Sequence, residues 1–227
     1  MRPVPYPIST PAHPVLFAPR EAAPAIPGYS QPAAHRPLLG LTVCDLGWTD
    51  ALTHVEMVCD LHLGARTLSF LDGKTAAIAS ADSRYRAILA NRILLPASRT
   101  LAVATRWDIN GPLKVVFRPD RFVDSLLTFM QQRHVALVGK DVARLEKTRR
   151  RLSQHTPWHK FSVVRAADIG SGVAIKDCGT GLAAIMPDLV LVDAHGLSEE
   201  VRFERALSLR HNGLIVMAGA AFEARNQ

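Results

Sequence analysis

"PDLVLVDAHGLSEEVRFERALSLRHNGLIVMAGAAF", residues 187–222, sets two unbroken apolar runs, LVLV and LIVM, on either side of one amphipathic stretch. A strand that faces solvent alternates polar with apolar residues, whereas one covered on both faces reads as a continuous run, so both runs predict buried strands. "LSEEVRFERALSLRH" between them has helical spacing. A strand, a helix and a second strand of the same kind make a parallel crossover, the repeating unit of an α/β sheet.

Working upstream, the same alternation continues. "FSVVRA" predicts a strand, "KDVARLEKTRRRLSQH" a helix and "HVALVG" a buried strand, with "FVDSLLTFMQQR" a helix before it. "RILLPAS" and "RTLSFLDG" are expected strands on either side of the helical "KTAAIASADSRYRAILANR". "WTDALTHVEMVCDLHLG" predicts a helix capped by Thr49 and stopped by Gly64, and "LLGLTVCDL" a short strand. The fold class is therefore α/β: a Rossmann-like, largely parallel sheet with helices on both faces.

Ten of the fifteen prolines fall within residues 1–37. Fixed φ angles and missing amide donors oppose helix and ladder there, so residues 1–36 are expected to form a Pro-rich disordered or loosely docked tail, and 37–227 the domain. The 227 residues are 48% hydrophobic and 21% charged, enough to bury one sizeable core. Lys and Arg outnumber Asp and Glu by 27 to 20, a net charge of +7 that favours anionic partners. Cys44, Cys59 and Cys178 form neither a CxxC pair nor a Cys/His ligand spacing, which fits a reducing, cytoplasmic setting. The apolar run Leu214–Phe222 is about half the length of a bilayer span, and the N-terminus carries no signal-like segment. No helix-turn-helix, zinc spacing or aromatic RNA-binding pattern is present, so nucleic acid is not an expected partner.

In parallel sheets ligands bind where the carboxyl ends of the strands meet the following loops. Those loops carry Asp72-Gly73, Pro96-Ala97-Ser98, Gly139-Lys140-Asp141, Asp193-Ala194-His195-Gly196 and Gly219-Ala220-Ala221. Several residues in and beside them have two readings. Asp72 can act on a substrate or close an ordinary Asp-Gly turn. His195 can act as a base near neutral pH or be solvated. Lys140 can approach a phosphate beside Gly139, although no Walker pattern surrounds it. Glu199 and Glu200 can line a pocket or complement the positive end of a helix. Arg144, Lys147, Arg149, Arg150 and Arg151 form either an anion-binding run or a solvated helix face.

The succession of segments from about Leu38 to Glu223 resembles the WecG/TagA/CpsF glycosyltransferases, family 26. "SFLDGKTAAIAS" resembles the family's strand and Thr-x-Asn loop, with Phe70 and Asp72 at the Thr and Asn positions. "NRILLPAS" resembles its "adlvLPDG", which puts Ala97 at the catalytic Asp and Ser98 at the Gly. "VALVGKDVARLEKTRRRLSQHTP" resembles its "vfLlGg" strand and following helix. "PDLVLVDAHGLSEEVRFERA" resembles "PDlllVglGsPkQEkwi", with Glu199 and Glu200 at Gln and Glu, and "GLIVMAGAAFE" resembles "vvigvGaaFD".

The resemblance implies transfer of an N-acetylhexosamine-type sugar from a UDP donor to a lipid-diphosphate-linked sugar acceptor in cell-surface polysaccharide biosynthesis. It implies that no metal ion or other cofactor takes part, and that the work is done at the cytoplasmic face of the plasma membrane with peripheral contact to anionic lipid. An oligomer is compatible with it. Asp72 is the candidate relocated base, since Ala97 carries no proton-accepting group; Asp72, Ser98, Gly139, Lys140, His195, Glu199 and Glu200 are the candidate substrate-binding residues. Family members usually run on past "GaaFD" into a basic appendage, which is not expected here. The alternative expectation is a catalytically silent homologue that binds a nucleotide sugar or a partner transferase.

Overall fold

Six parallel strands form the central sheet. They are β3 (Arg66–Leu71), β4 (Ile93–Pro96), β5 (His134–Gly139), β6 (Lys160–Arg165), β7 (Leu189–Val192) and β8 (Leu214–Met217), in the spatial order β4-β3-β8-β7-β5-β6. The computed structural model describes residues 35–62, 64–166 and 181–223. The expected Pro-rich tail lies outside the described residues as far as residue 34, as does Cys178.

The two runs that define the fold are adjacent strands. β7 pairs with β8 from Leu189↔Leu214 to Val192↔Met217, and every residue of both is buried. Their side chains alternate between two cores, as the strand period of two requires. Leu189, Leu191, Leu214 and Val216 face the core shared with α1 (Trp48–Leu61), α5 (Pro119–Phe129) and α6 (Val142–His155). Val190, Val192, Ile215 and Met217 face the opposite core, beneath Phe203, Ala206 and Leu207 of α8 (Leu197–Ser208) and next to α7, described over 181–185. A third cluster packs α2 (Gly73–Ala81), α3 (Ser83–Leu89) and α4 (Arg99–Ala104) near the β4 edge. The sheet is thus parallel and covered on both faces.

Four local readings change. "LLGLTVCDL" is not one strand: β1 (His35–Leu38) and β2 (Leu41–Cys44) form an antiparallel hairpin outside the main sheet. Its turn, Leu39-Gly40, has φ of 52° and 75°, the left-handed pair that matches strand twist in a two-residue hairpin. β1 begins at His35, the first described residue. Thr49 does not cap α1. The helix starts one residue earlier, behind an extended Gly47 with no side-chain cap, where the Trp48 ring stacks on Phe117 at 5.5 Å. Its end comes at His62, in the left-handed region, before Gly64. "KTAAIASADSRYRAILANR" breaks into α2 and α3 at Asp82, whose carboxylate accepts from Arg84 N at 2.8 Å. A mid-helix Asp competes for backbone donors and caps a new helix instead.

Candidate functional site

All six strands run the same way, so their following loops share one edge of the sheet. At the β5, β7 and β8 end of that edge the backbones are unusually close. A Cβ on Gly139 would lie 2.9 Å from the Asp193 Cβ, and one on Gly219 would lie 2.1 Å from the Ala194 carbonyl oxygen. Glycine lets the three loops press together, and their side chains then converge.

Asp193 follows β7 directly and is buried. Its Oδ1 lies 3.0 Å from His195 Nε2 and its Oδ2 3.4 Å from Arg144 Nε. Arg144 also donates to the carbonyls of Phe222 and Gly219, at 3.2 and 3.4 Å, so it ties α6 to the turn after β8. Burial pushes the Asp193 carboxyl above the usual carboxylate range, against the pull of Arg144 and His195. Glu199, in the first turn of α8, accepts from the His195 backbone N at 2.7 Å and pairs with Lys140 Nζ at 2.6 Å. Burial works to raise its pKa, but the Lys140 ammonium and the His195 amide outweigh it and hold Glu199 below the ordinary value. Lys140 and His195 are exposed. The result is two solvent-facing basic groups, each set in place by an acid, beside the positive end of α8. Such a site can meet an anion, and an imidazole beside a buried carboxylate is a group that can accept a proton.

The other end of the edge is built differently. Asp72 is exposed and its Oδ1 accepts from Thr75 N at 2.6 Å, capping α2. Ser98 caps α4, accepting from Thr100 N at 3.1 Å. Ala97 N donates to Leu71 O at 2.9 Å, and Gly73 brings the α2 start against Thr100 and Ser98. Phe70 packs edge-on to Phe122 at 5.8 Å, in the aromatic cluster that also holds Trp48 and Phe117.

The expected site residues therefore separate. Gly139, Lys140, His195 and Glu199 come together; Asp72 and Ser98 form a second group at the β3–β4 end. Glu200 joins neither. Its Oε2 accepts from Arg92 Nη1 at 2.5 Å, beside Glu204, which accepts from Arg92 Nη2 at 2.7 Å. The Arg92 side chain has no exposed surface, and it also donates to Ser69 on β3 at 2.9 Å. Burial raises the Glu200 carboxyl although Arg92 opposes it. The basic run of α6 is divided too. Arg151 holds Asp124 through both carboxylate oxygens and the carbonyl of Ala221, Arg149 pairs with Glu146, and Lys147 and Arg150 line a surface hollow of about 540 Å³. A second hollow of about 580 Å³, lined by Trp48, Arg118, Arg121, Asp124 and His155, lies between α5 and its neighbours.

Asp193, which the loop reading named without a role, and Arg144, named only within the basic run of α6, are the members of this cluster that pattern alone did not bring together. The usable signal was an acidic residue directly after four buried strand residues, a place where charge needs a partner.

No protein-family model and no curated protein matches this chain. Fold and site define a Rossmann-like α/β protein with a charged cluster at the carboxyl edge of its parallel sheet. Among the described residues, no helix is long and apolar enough to cross a membrane.

Proposed function

We propose that this chain is a glycosyltransferase of the WecG/TagA/CpsF type, which takes an N-acetylhexosamine-type sugar from a UDP donor and passes it to a lipid-diphosphate-linked sugar during polysaccharide assembly at the cytoplasmic membrane face. The observation that supports this most is the Lys140–Glu199–His195–Asp193 cluster at the carboxyl edge, where a doubly wound sheet takes its ligand. Lys140 and the α8 start meet the donor diphosphate. His195, positioned by Asp193, accepts the proton of the acceptor hydroxyl as its oxygen bonds to the anomeric carbon. The bond from that carbon to the diphosphate breaks, and UDP leaves with the electron pair.

His195 fits the base role better than Asp72, because Asp72 already serves as the cap of α2. One feature favours the second reading, a silent homologue that binds nucleotide sugar or a partner transferase: by the resemblance of "NRILLPAS" to the family's "adlvLPDG", Ala97 falls at the catalytic Asp. Calorimetry with UDP in the absence of divalent metal, followed by transfer assays, separates them. UDP binding with transfer that falls about 100- to 10,000-fold in His195→Ala supports the enzyme with this base. Loss in Asp72→Ala alone transfers the role to Asp72. Binding without transfer, restored in the Ala97→Asp/Ser98→Gly double variant, establishes the silent homologue. No UDP binding at millimolar concentration defeats both readings.

A further inference from the structure

The segment after β4 carries an unusual display. Trp107 is 92% exposed and Ile109 102% exposed, with Val103 at 55% one helical turn before Trp107. An isolated exposed apolar residue needs no explanation, but a tryptophan and an isoleucine two residues apart, both bare to solvent, carry a standing hydration cost.

The intervening residue shows how the display is held. Asp108 turns inward, accepting from Arg36 Nη2 at 2.8 Å, and the same nitrogen donates to the carbonyl of Gly111 at 2.5 Å. The Arg36 side chain is buried, with Asp45 3.6 Å from its other terminal nitrogen. The hydrogen bond from Arg36 holds the Asp108 carboxyl below the usual carboxylate range, so the clamp stays charged. Trp107 ends a 3-10 turn (Thr105–Trp107) and Ile109 lies in the turn that follows, so both stand outward on either side of the clamped Asp108. Both acids at this place, Asp45 and Asp108, are engaged by Arg36, and Asp45 also accepts from Lys114 N at 2.8 Å. The side chains of Arg99, Arg106 and Lys114 are exposed around the tip.

We propose that residues 99–114 are a docking tip for an anionic bilayer surface, with Trp107 and Ile109 entering the headgroup–acyl boundary and Arg99, Arg106 and Lys114 meeting lipid phosphates. Charge complementarity selects this occupant, since the tip presents three bases outward while its acids are neutralised from within. Size supports it as well. Two or three side chains on a protruding tip supply far less than the roughly 800 Å² per partner of a stable protein interface, whereas a fluid bilayer accepts a small apolar wedge with cations beside it. Tryptophan suits that boundary because its ring is apolar and its N–H polar. The tip follows β4 at the carboxyl edge, and Phe117 N returns to Pro96 O at 2.7 Å, so docking there turns that edge toward the membrane. Anionic lipid is a partner that the glycosyltransferase reading also implies, while the surface that meets it rests on these contacts alone.

The test uses the full chain and sedimented vesicles of phosphatidylglycerol with phosphatidylcholine, against phosphatidylcholine alone. The expected result is binding to the anionic vesicles that weakens as salt rises. Trp107→Ser/Ile109→Ser should lower the partition at least tenfold with an unchanged melting temperature, because neither side chain packs on the fold. Arg106→Ala and Lys114→Ala should each lower it about fivefold. Wild-type binding that equals the double variant's, equal binding to both vesicle types, or no vesicle binding at all overturns the proposal. So does a wild-type dimer that the double variant abolishes without changing vesicle binding, since a second copy is then the occupant.

Discussion

Glu199 and Glu200 are adjacent in the chain and belong to different parts of the molecule. Glu199 turns to the open edge and arranges the groups that meet solvent, Lys140 and the His195 backbone. Glu200 turns beneath α8 and neutralises Arg92, a guanidinium with no exposed surface. One step along a helix rotates a side chain by about 100°, enough to send two like residues to opposite tasks. The same division runs through the acids after the strands: Asp193 meets Arg144 of α6 and His195 of its own loop, whereas Asp72 caps its own helix. Polar chemistry at a sheet edge becomes a site only where several elements deliver it to one place.

The largest expected effect lies in the buried knot. Arg92→Met removes the cation from between Glu200 and Glu204 and leaves both acids with like charge and little solvent. Breaking a buried pair of this kind costs about 3 kcal/mol or more, read as a lower urea midpoint at unchanged slope. UDP affinity of the molecules that remain folded should not change. A variant as stable as the wild type would show the knot to be incidental, and a variant that folds normally but loses UDP would place Arg92 with the site.

A smaller effect is expected at Asp72. Asp72→Ala removes the acceptor for Thr75 N and should cost about 1 kcal/mol, the usual worth of an N-cap. Asp72→Asn or Asp72→Ser should restore most of it. If stability falls and returns in this order while sugar transfer stays constant, Asp72 is a cap; if transfer falls in all three variants, the β3–β4 end takes part in chemistry and the contrast with the His195 end weakens.

The strands were legible because burial on both faces writes itself as continuous apolar text: LVLV, LIVM and HVALV are strands at the expected places. Their order was not. Nothing in LIVM says that β8 inserts between β3 and β7, since that depends on which crossovers the helices permit. The loops were found, and so were most of the residues that meet there, because glycine and charge after a buried run mark the carboxyl edge. Their division into two groups was not, because it turns on through-space packing, such as the approach of Gly219 to the Ala194 carbonyl. Asp82 shows the same limit on a local scale. Helical spacing continues across it, and only its capping of Arg84 N reveals the break.

The finest expected difference is in the sign of pH dependence for the paired glutamates. Glu199 sits below the ordinary carboxylate value, with burial overcome by Lys140 and the His195 amide, so its contribution is present above the unfolded-chain value of about 4.3 and is lost as pH falls through the lower folded value. Glu200 sits above the ordinary value because of burial, so the folded chain takes up its proton first and gains relative stability as pH falls from neutral through the raised value. Urea unfolding of the wild type, Glu199→Gln and Glu200→Gln between pH 7 and pH 3 should therefore give difference curves of opposite slope. Glu199→Gln should cost less than about 1 kcal/mol at pH 7, as a partly exposed pair does, with the gap closing only below about pH 4. Glu200→Gln should instead fall further behind the wild type as pH is lowered, beginning above the ordinary carboxylate range. Parallel curves would mean that the two residues share one environment, and the separation of edge from knot would not hold.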